Sequence, residues 1–166
     1  VEGSTRFGRR PRAEARAETG LDGDPVVLWV GRLNPNKDPL TVLAGFETAL
    51  ERLPGARLHM AFHDPLPLLP AVERRIAASP GLRASARLLG AVPHERIEAV
   101  FNSADVFVLG SHSEGAGFAL IEAMACGVVP AVTDIPALRA VTGNGAVGAL
   151  WPPGDDDACA AAIVAA

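Results

Sequence analysis

The 166-residue chain has no tyrosine, two cysteines, and aromatic residues at 5% overall. No apolar run approaches the roughly 18 residues that a membrane-spanning helix needs, and no secretory leader pattern opens the chain. Cys126 and Cys159 each lie in an alanine-rich apolar stretch. That setting suits small core residues in a reducing, cytoplasmic compartment and not a disulfide or a metal pair. Positive charge is not in excess: 15 basic against 19 acidic residues leave a net charge of −4, which counts against a nucleic-acid partner. Two nucleotide signatures are missing as well. The first strand-like run is followed by GRLNPNK and not by G-x-G-x-x-G, which disfavours a nicotinamide-binding protein. No Walker A sequence is present to support nucleotide hydrolysis. His59, His63 and His94 lack metal-ligand spacing, and Asp155-Asp156-Asp157 reads as the cap of a following helix, so no metal is expected.

What is present is globular: 49% apolar and 20% charged residues in a length that suits one domain. Residues 1–20 read as a linker and incoming helix. Arg6, Arg9, Arg10, Arg12 and Arg16 decorate a solvated segment there, and Pro11–Thr19 closes at Gly20. Residues 21–166 then alternate between two patterns. Apolar runs at 26–30, 57–62, 86–91, 105–110, 128–133 and 146–150 read as strands. Segments 39–52, 68–79, 94–104, 117–126, 136–142 and 155–166 read as helices. Strands that are apolar without alternation are covered on both sides. The expectation is therefore an α/β domain with a doubly wound, six-stranded parallel sheet, Rossmann-like, in the order 3-2-1-4-5-6. Pro130 suits only an early position in its strand.

That order places strands 1 and 4 side by side, with a crevice between their loops. The loops are GRLNPNKD (31–38) and SHSEGAG (111–117), the two most chemically loaded in the chain. Gly115 and Gly117 permit close backbone approach at the start of a helix, whose free N–H groups favour an anion such as phosphate. Arg32 and Lys37 supply complementary charge from the other loop. Glu114 stands before the turn and Glu122 within the helix, bracketing the anion site, and carboxylates accept hydrogen bonds from sugar hydroxyls. A ligand with sugar, diphosphate and ribose in line fits that arrangement. His112 borders the same loop. Phe118 and Met124 are expected in the core.

The segments GRLNPNKDPLTVLAGF (31–46), LLGAVPHERIEAVFNSADVFVLGS (88–111), SEGAGFALIEAMACGVVPAVT (113–133) and GALWPPGDDDACAAAI (148–163) resemble the retaining GT-B glycosyltransferases of the family 4, or group 1, type. The resemblance runs from about Pro25 onward and implies the C-terminal, donor-binding half of a GT-B fold, with an acceptor-binding domain upstream. It implies that the catalytic residues are Arg32 and Lys37, which meet the donor diphosphate, and Glu114, which meets the transferred sugar, and that Gly31 is substrate-binding. Backbone amides of Gly115, Ala116, Gly117, Phe118 and Ala119 would hold the sugar–phosphate region. Glu122 would hold the ribose, and the backbone at Val92 and Pro93 the base edge. The family commonly carries an aromatic where Ala116 stands, a glycine-bearing loop at 63–67, proline at 110 and an acid at 137.

The implied partners are a nucleotide-sugar donor and a sugar or glycolipid acceptor, with no metal cofactor and peripheral membrane association of the whole protein. The implied reaction is retaining hexosyl transfer by same-face attack, with little turnover from this domain alone. The competing reading is a non-catalytic nucleotide-sugar binding module or a GT-B-like epimerase. Both acids together with Arg32 and Lys37 favour the transferase.

Overall fold

The computed structural model describes residues 6–63 and 67–166. Six strands are present: β1 (Val26–Gly31), β2 (Arg57–Phe62), β3 (Ala86–Gly90), β4 (Val106–Leu109), β5 (Val129–Thr133) and β6 (Ala149–Trp151). They form one all-parallel sheet in the order β3-β2-β1-β4-β5-β6. Val27 of β1 is in register with Leu58 of β2 on one side and Val106 of β4 on the other. Pro130 falls second in β5, and pairing with β6 begins only at Ala131, so its missing N–H breaks no bond to that strand.

The eight helices are α1 (Arg12–Thr19), α2 (Pro39–Ala49), α3 (Leu69–Ala78), α4 (Pro80–Ser85), α5 (His94–Ser103), α6 (Phe118–Ala125), α7 (Pro136–Val141) and α8 (Asp156–Ala165) among the described residues. Side-chain alternation sorts them into two layers. Val27 and Trp29 of β1, with Val106 and Val108 of β4, join one buried cluster with Val42, Phe46 and Cys159 from α2 and α8. Val26 and Leu28, with Phe107 and Leu109, join a second with Phe101, Leu120 and Leu138 from α5, α6 and α7. β1 and β4 are apolar along their length because both of their faces are covered. The helix after β1 therefore lies on one face and the helix after β4 on the other.

Three expectations are corrected. The sixth strand is 149–151 and not 146–150: Gly143, Asn144, Gly145 and Gly148 all adopt positive φ, so a run of turns occupies 143–148 and leaves Val147 exposed. The helical segment 68–79 is followed by a separate α4. Ser79 is extended ahead of Pro80, which ends α3, and its hydroxyl accepts from Leu82 N at 3.1 Å to cap the next helix. The arginines before residue 20 are not simply solvated. Arg12 (2.9 Å) and Arg16 (2.6 Å) both bind Asp105, whose Oδ2 also accepts Val26 N at 2.7 Å. Arg10 pairs with Glu18 at 2.7 Å, and the ring of Phe7 lies 6.1 Å from that of Phe101.

Cys126 and Cys159 are both buried free thiols, and burial raises both, Cys126 to about 11. Where α2 crosses α8, a Cβ on Gly45 would lie 2.7 Å from Cys159 Cβ and 2.9 Å from the Asp156 carbonyl. Gly45→Ala should therefore lower stability by about 1–3 kcal/mol despite the better helix propensity of alanine. Urea unfolding checks this; an unchanged or raised midpoint would mean that the helices separate freely.

Candidate functional site

β1 and β4 are neighbours whose following helices depart to opposite faces, so the chain parts above their carboxyl ends. A cleft of about 520 Å³ opens there. Gly31, Arg32, Asn34, Asn36 and Lys37 line it from one loop and Glu114, Gly115, Ala116, Gly117, Phe118 and Ala119 from the other, with Val30, Leu109 and His63 completing the wall.

Local chemistry shapes both loops and ties them together. Asp38 adopts a left-handed conformation, φ 42°, and its carboxylate accepts Thr41 N at 3.2 Å, capping α2. Asn34 Oδ1 accepts Lys37 N at 3.0 Å, tightening the turn before it. Across the gap, His112 N donates to the Asn36 carbonyl at 2.8 Å, and Asn36 Nδ2 donates to the Ser113 carbonyl at 3.0 Å. His112 Nε2 lies 2.9 Å from Asp38 Oδ2. A side chain at Gly110 would meet Val42 Cγ2 at 3.0 Å and the Asp38 carbonyl at 3.1 Å, so the loops approach this closely over a residue without Cβ. Thr133 Oγ1 donates to the Ser111 carbonyl at 2.6 Å, anchoring the second loop to β5.

The charged groups occupy this frame. Lys37 Nζ pairs with Glu114 Oε1, both side chains being mostly buried, and Ser111 Oγ donates to the same oxygen at 2.7 Å. Lys37 keeps N–H donors beyond the one that Glu114 takes, and Glu114 Oε2 has no partner among the described residues. Arg32 is exposed in the cleft and pairs with no acid among the described residues. Gly117, at φ 66°, starts α6 without a side-chain cap and without an acid in the first turn. The bond from Ile121 N to the Gly117 carbonyl opens the helix ladder, so the amides ahead of Ile121 point out of it.

A second hollow of about 270 Å³ adjoins the first, sharing Val30 and His63 with it. Glu122 lies here with Phe62, Ala91, Val92, His94 and Ile97. Burial raises the Glu122 carboxyl above its ordinary range, and the charge of His94 opposes this. Glu122 accepts no hydrogen bond from the described residues. Pro93 stands at the N-cap of α5 and, with Val92, lines a separate groove beside Leu21 and Arg96.

The structure thus gathers Gly31, Arg32, Lys37, Glu114 and residues 115–119 in one hollow and Glu122 and Val92 in the next. Phe118 was expected in the core; it is instead 54% exposed in the cleft. Leu120 and Ala123 occupy the inward face of α6, and Phe118 falls outside it. Met124 does pack against the core. Asp155 caps α8 through Ala158 N at 2.9 Å. His63, just past β2, is one of the lining residues that sequence reasoning passed over, with Asn34, Asn36 and His94. For His63 the signal was its place at the carboxyl end of a strand beside β1. Of the loop 63–67, residues 64–66 lie outside the described residues.

The model of glycosyl transferases group 1 matches residues 11–166 of this chain. A D-inositol 3-phosphate glycosyltransferase of Nocardia farcinica is 34% identical over 152 residues, covering 88% of this chain and 34% of that protein. A mannosylfructose-phosphate synthase of Agrobacterium fabrum is 36% identical over 128 residues, covering 74% and 28%. Among solved structures, Anabaena HepE in complex with UDP and glucose matches with TM-score 0.82 at 21% identity, over 95% of this chain and 43% of that one. The chain belongs to the group 1 glycosyl transferases, and its sheet and flanking helices match the C-terminal domain of GT-B members. It spans about a third of the length of the curated relatives named here. None of the described helices is long and apolar enough to cross a membrane.

The raised Glu122 carboxyl has a consequence for stability. Because the folded state holds its proton more tightly than the unfolded chain, this group costs stability as pH rises above the ordinary Glu range, about 4.3. Glu122→Gln should therefore melt at a higher temperature than the parent at neutral pH, with the gap closing as pH falls toward that range. A variant that melts lower at neutral pH would show that the carboxylate is held by structural partners.

Proposed function

We propose that this domain binds the nucleotide-diphosphate sugar donor of a retaining hexosyltransferase, whose acceptor, a sugar or glycolipid, is held by a separate domain. The observation that carries this reading is the convergence of Arg32, Lys37 and the uncapped start of α6 on one cleft, with Glu114 in it and Glu122 in the adjoining hollow. The complex of HepE with UDP and glucose supports a nucleotide-sugar ligand for this fold.

Arg32, the remaining donors of Lys37 and the amides from Gly115 to Ala119 face the diphosphate. Lys37 and Ser111 fix one oxygen of Glu114, which leaves Oε2 to accept a hydroxyl of the transferred sugar. Glu122 takes the ribose hydroxyls, and the backbone near Val92 and Pro93 takes the base edge. In transfer, the bond from the anomeric carbon to the leaving diphosphate oxygen breaks as the acceptor oxygen bonds to that carbon on the same face. The acceptor's proton passes to the departing phosphate. The cations and helix terminus stabilise the negative charge that develops, an electrostatic effect worth several kcal/mol in preorganised sites, so this reading requires no metal. The chemistry suits a cytoplasmic protein supplied with sugar nucleotides, either free or at the inner membrane surface.

Calorimetry with UDP, GDP, ADP and their hexose esters should detect micromolar-to-millimolar binding of one series. Arg32→Ala and Lys37→Ala should each weaken it roughly 10- to 100-fold, the range set by losing a charged hydrogen bond. Lys37→Ala also leaves Glu114 unpaired beside the anion, so adding Glu114→Gln should restore part of the nucleoside diphosphate affinity. The reading fails if no diphosphate binds or if both single variants bind as the parent does.

A further inference from the structure

Phe118 and Val147 are the large apolar side chains that stand exposed among the described residues. Val147 sits in the glycine turns before β6, where nothing is gathered for a ligand. Phe118 stands in the cleft that also holds Arg32, Lys37 and Glu114. Its position follows from the helix that carries it. Leu120 and Ala123 take the buried stripe of α6, whereas Phe118 and Glu122 are four residues apart and share another. Glu122 opens into the second hollow, and one turn nearer the amino end the same stripe delivers the phenyl ring to the first. A phenyl ring exposed to water forgoes the burial that such side chains normally gain, on the order of 150–250 Å² each. It is therefore poised to contact a partner that enters the cleft.

We infer that the ring of Phe118 is a platform for the apolar C–H face of the donor's hexose. This rests on the donor reading above and goes beyond it. The amide of Phe118 belongs to the phosphate cradle, whereas the side chain recognises the sugar. A pyranose presents hydroxyls at its rim and C–H groups on its faces. Those C–H groups carry slight positive charge, and the face of an aromatic ring carries negative charge. The cleft holds a matching pair: Glu114 Oε2, free to accept a rim hydroxyl, and a ring free to lie against the face. Neither alone defines a sugar. Together they fix one ring by its edge and its plane.

The test measures, by calorimetry on the 166-residue chain, the affinity for whichever of UDP, GDP and ADP binds best and for its hexose ester. The ratio of the two affinities is the readout. Phe118→Ala should cut that ratio about 3- to 10-fold, in keeping with the loss of one aromatic contact. Phe118→Tyr and Phe118→Trp should keep it near the parent value. An unchanged ratio in Phe118→Ala, or an equal fall in the aromatic replacements, overturns the platform and assigns the ring to the acceptor or to a facing domain. Failure of the parent to bind any nucleoside diphosphate is a different result, because it removes the donor reading and this inference falls with it.

Discussion

The cleft depends on the bonding between two loops that the chain connects only through some 70 residues. His112 N on the Asn36 carbonyl, Asn36 on the Ser113 carbonyl, and Lys37 on Glu114 hold the ends of β1 and β4 in one geometry. Without these links each loop would be an ordinary strand exit with mobile polar side chains. With them, the donors and acceptors are oriented before any ligand arrives, which lowers the entropy cost of binding. Gly110 is the steric condition for that closure, because Val42 and the Asp38 carbonyl fill the space that a Cβ would need.

The same contacts make the charges interdependent. Lys37 holds Glu114, Ser111 holds the same carboxylate oxygen, and Thr133 holds the Ser111 carbonyl. A line of contacts therefore runs from β5 to the cation at the cleft. Glu122 differs: desolvated within a largely apolar hollow, it sits at a position where folding alone would favour a neutral side chain. Such local conflict between stability and placement is common where a side chain serves a ligand.

Most of the architecture was legible because its signals are periodic and redundant. VVLWV (26–30) and DVFVLG (105–110) lack alternation, and the structure buries both faces of β1 and β4. Strand order followed from six alternating strand–helix units, for which 3-2-1-4-5-6 is the common doubly wound arrangement, and the order placed the loaded loops together. Errors arose where one residue outweighed the pattern. Ser79-Pro80 ended one helix and began another, and glycines at 143, 145 and 148 kept Ala146 and Val147 out of a strand. The positions of Arg32, Lys37 and Glu114 were legible in kind, but the pairing of Lys37 with Glu114 was not, since neither spacing nor charge specifies which of several nearby ions will meet. Phe118 was misassigned because an apolar residue in an apolar helix reads as core until the buried stripe is known.

Lys37 is the only lysine in the chain; the rest of its 15 lysine and arginine residues are arginine. An ammonium can bind Glu114 with one proton and offer others elsewhere, whereas a guanidinium is a planar fork. That economy has a practical side. Within these residues, reagents that acylate or methylate amines and spare guanidinium would find a single side chain, and it stands in the cleft. One isotopically labelled methyl group there would give a solitary resonance, turning the residue at the centre of the site into its own reporter.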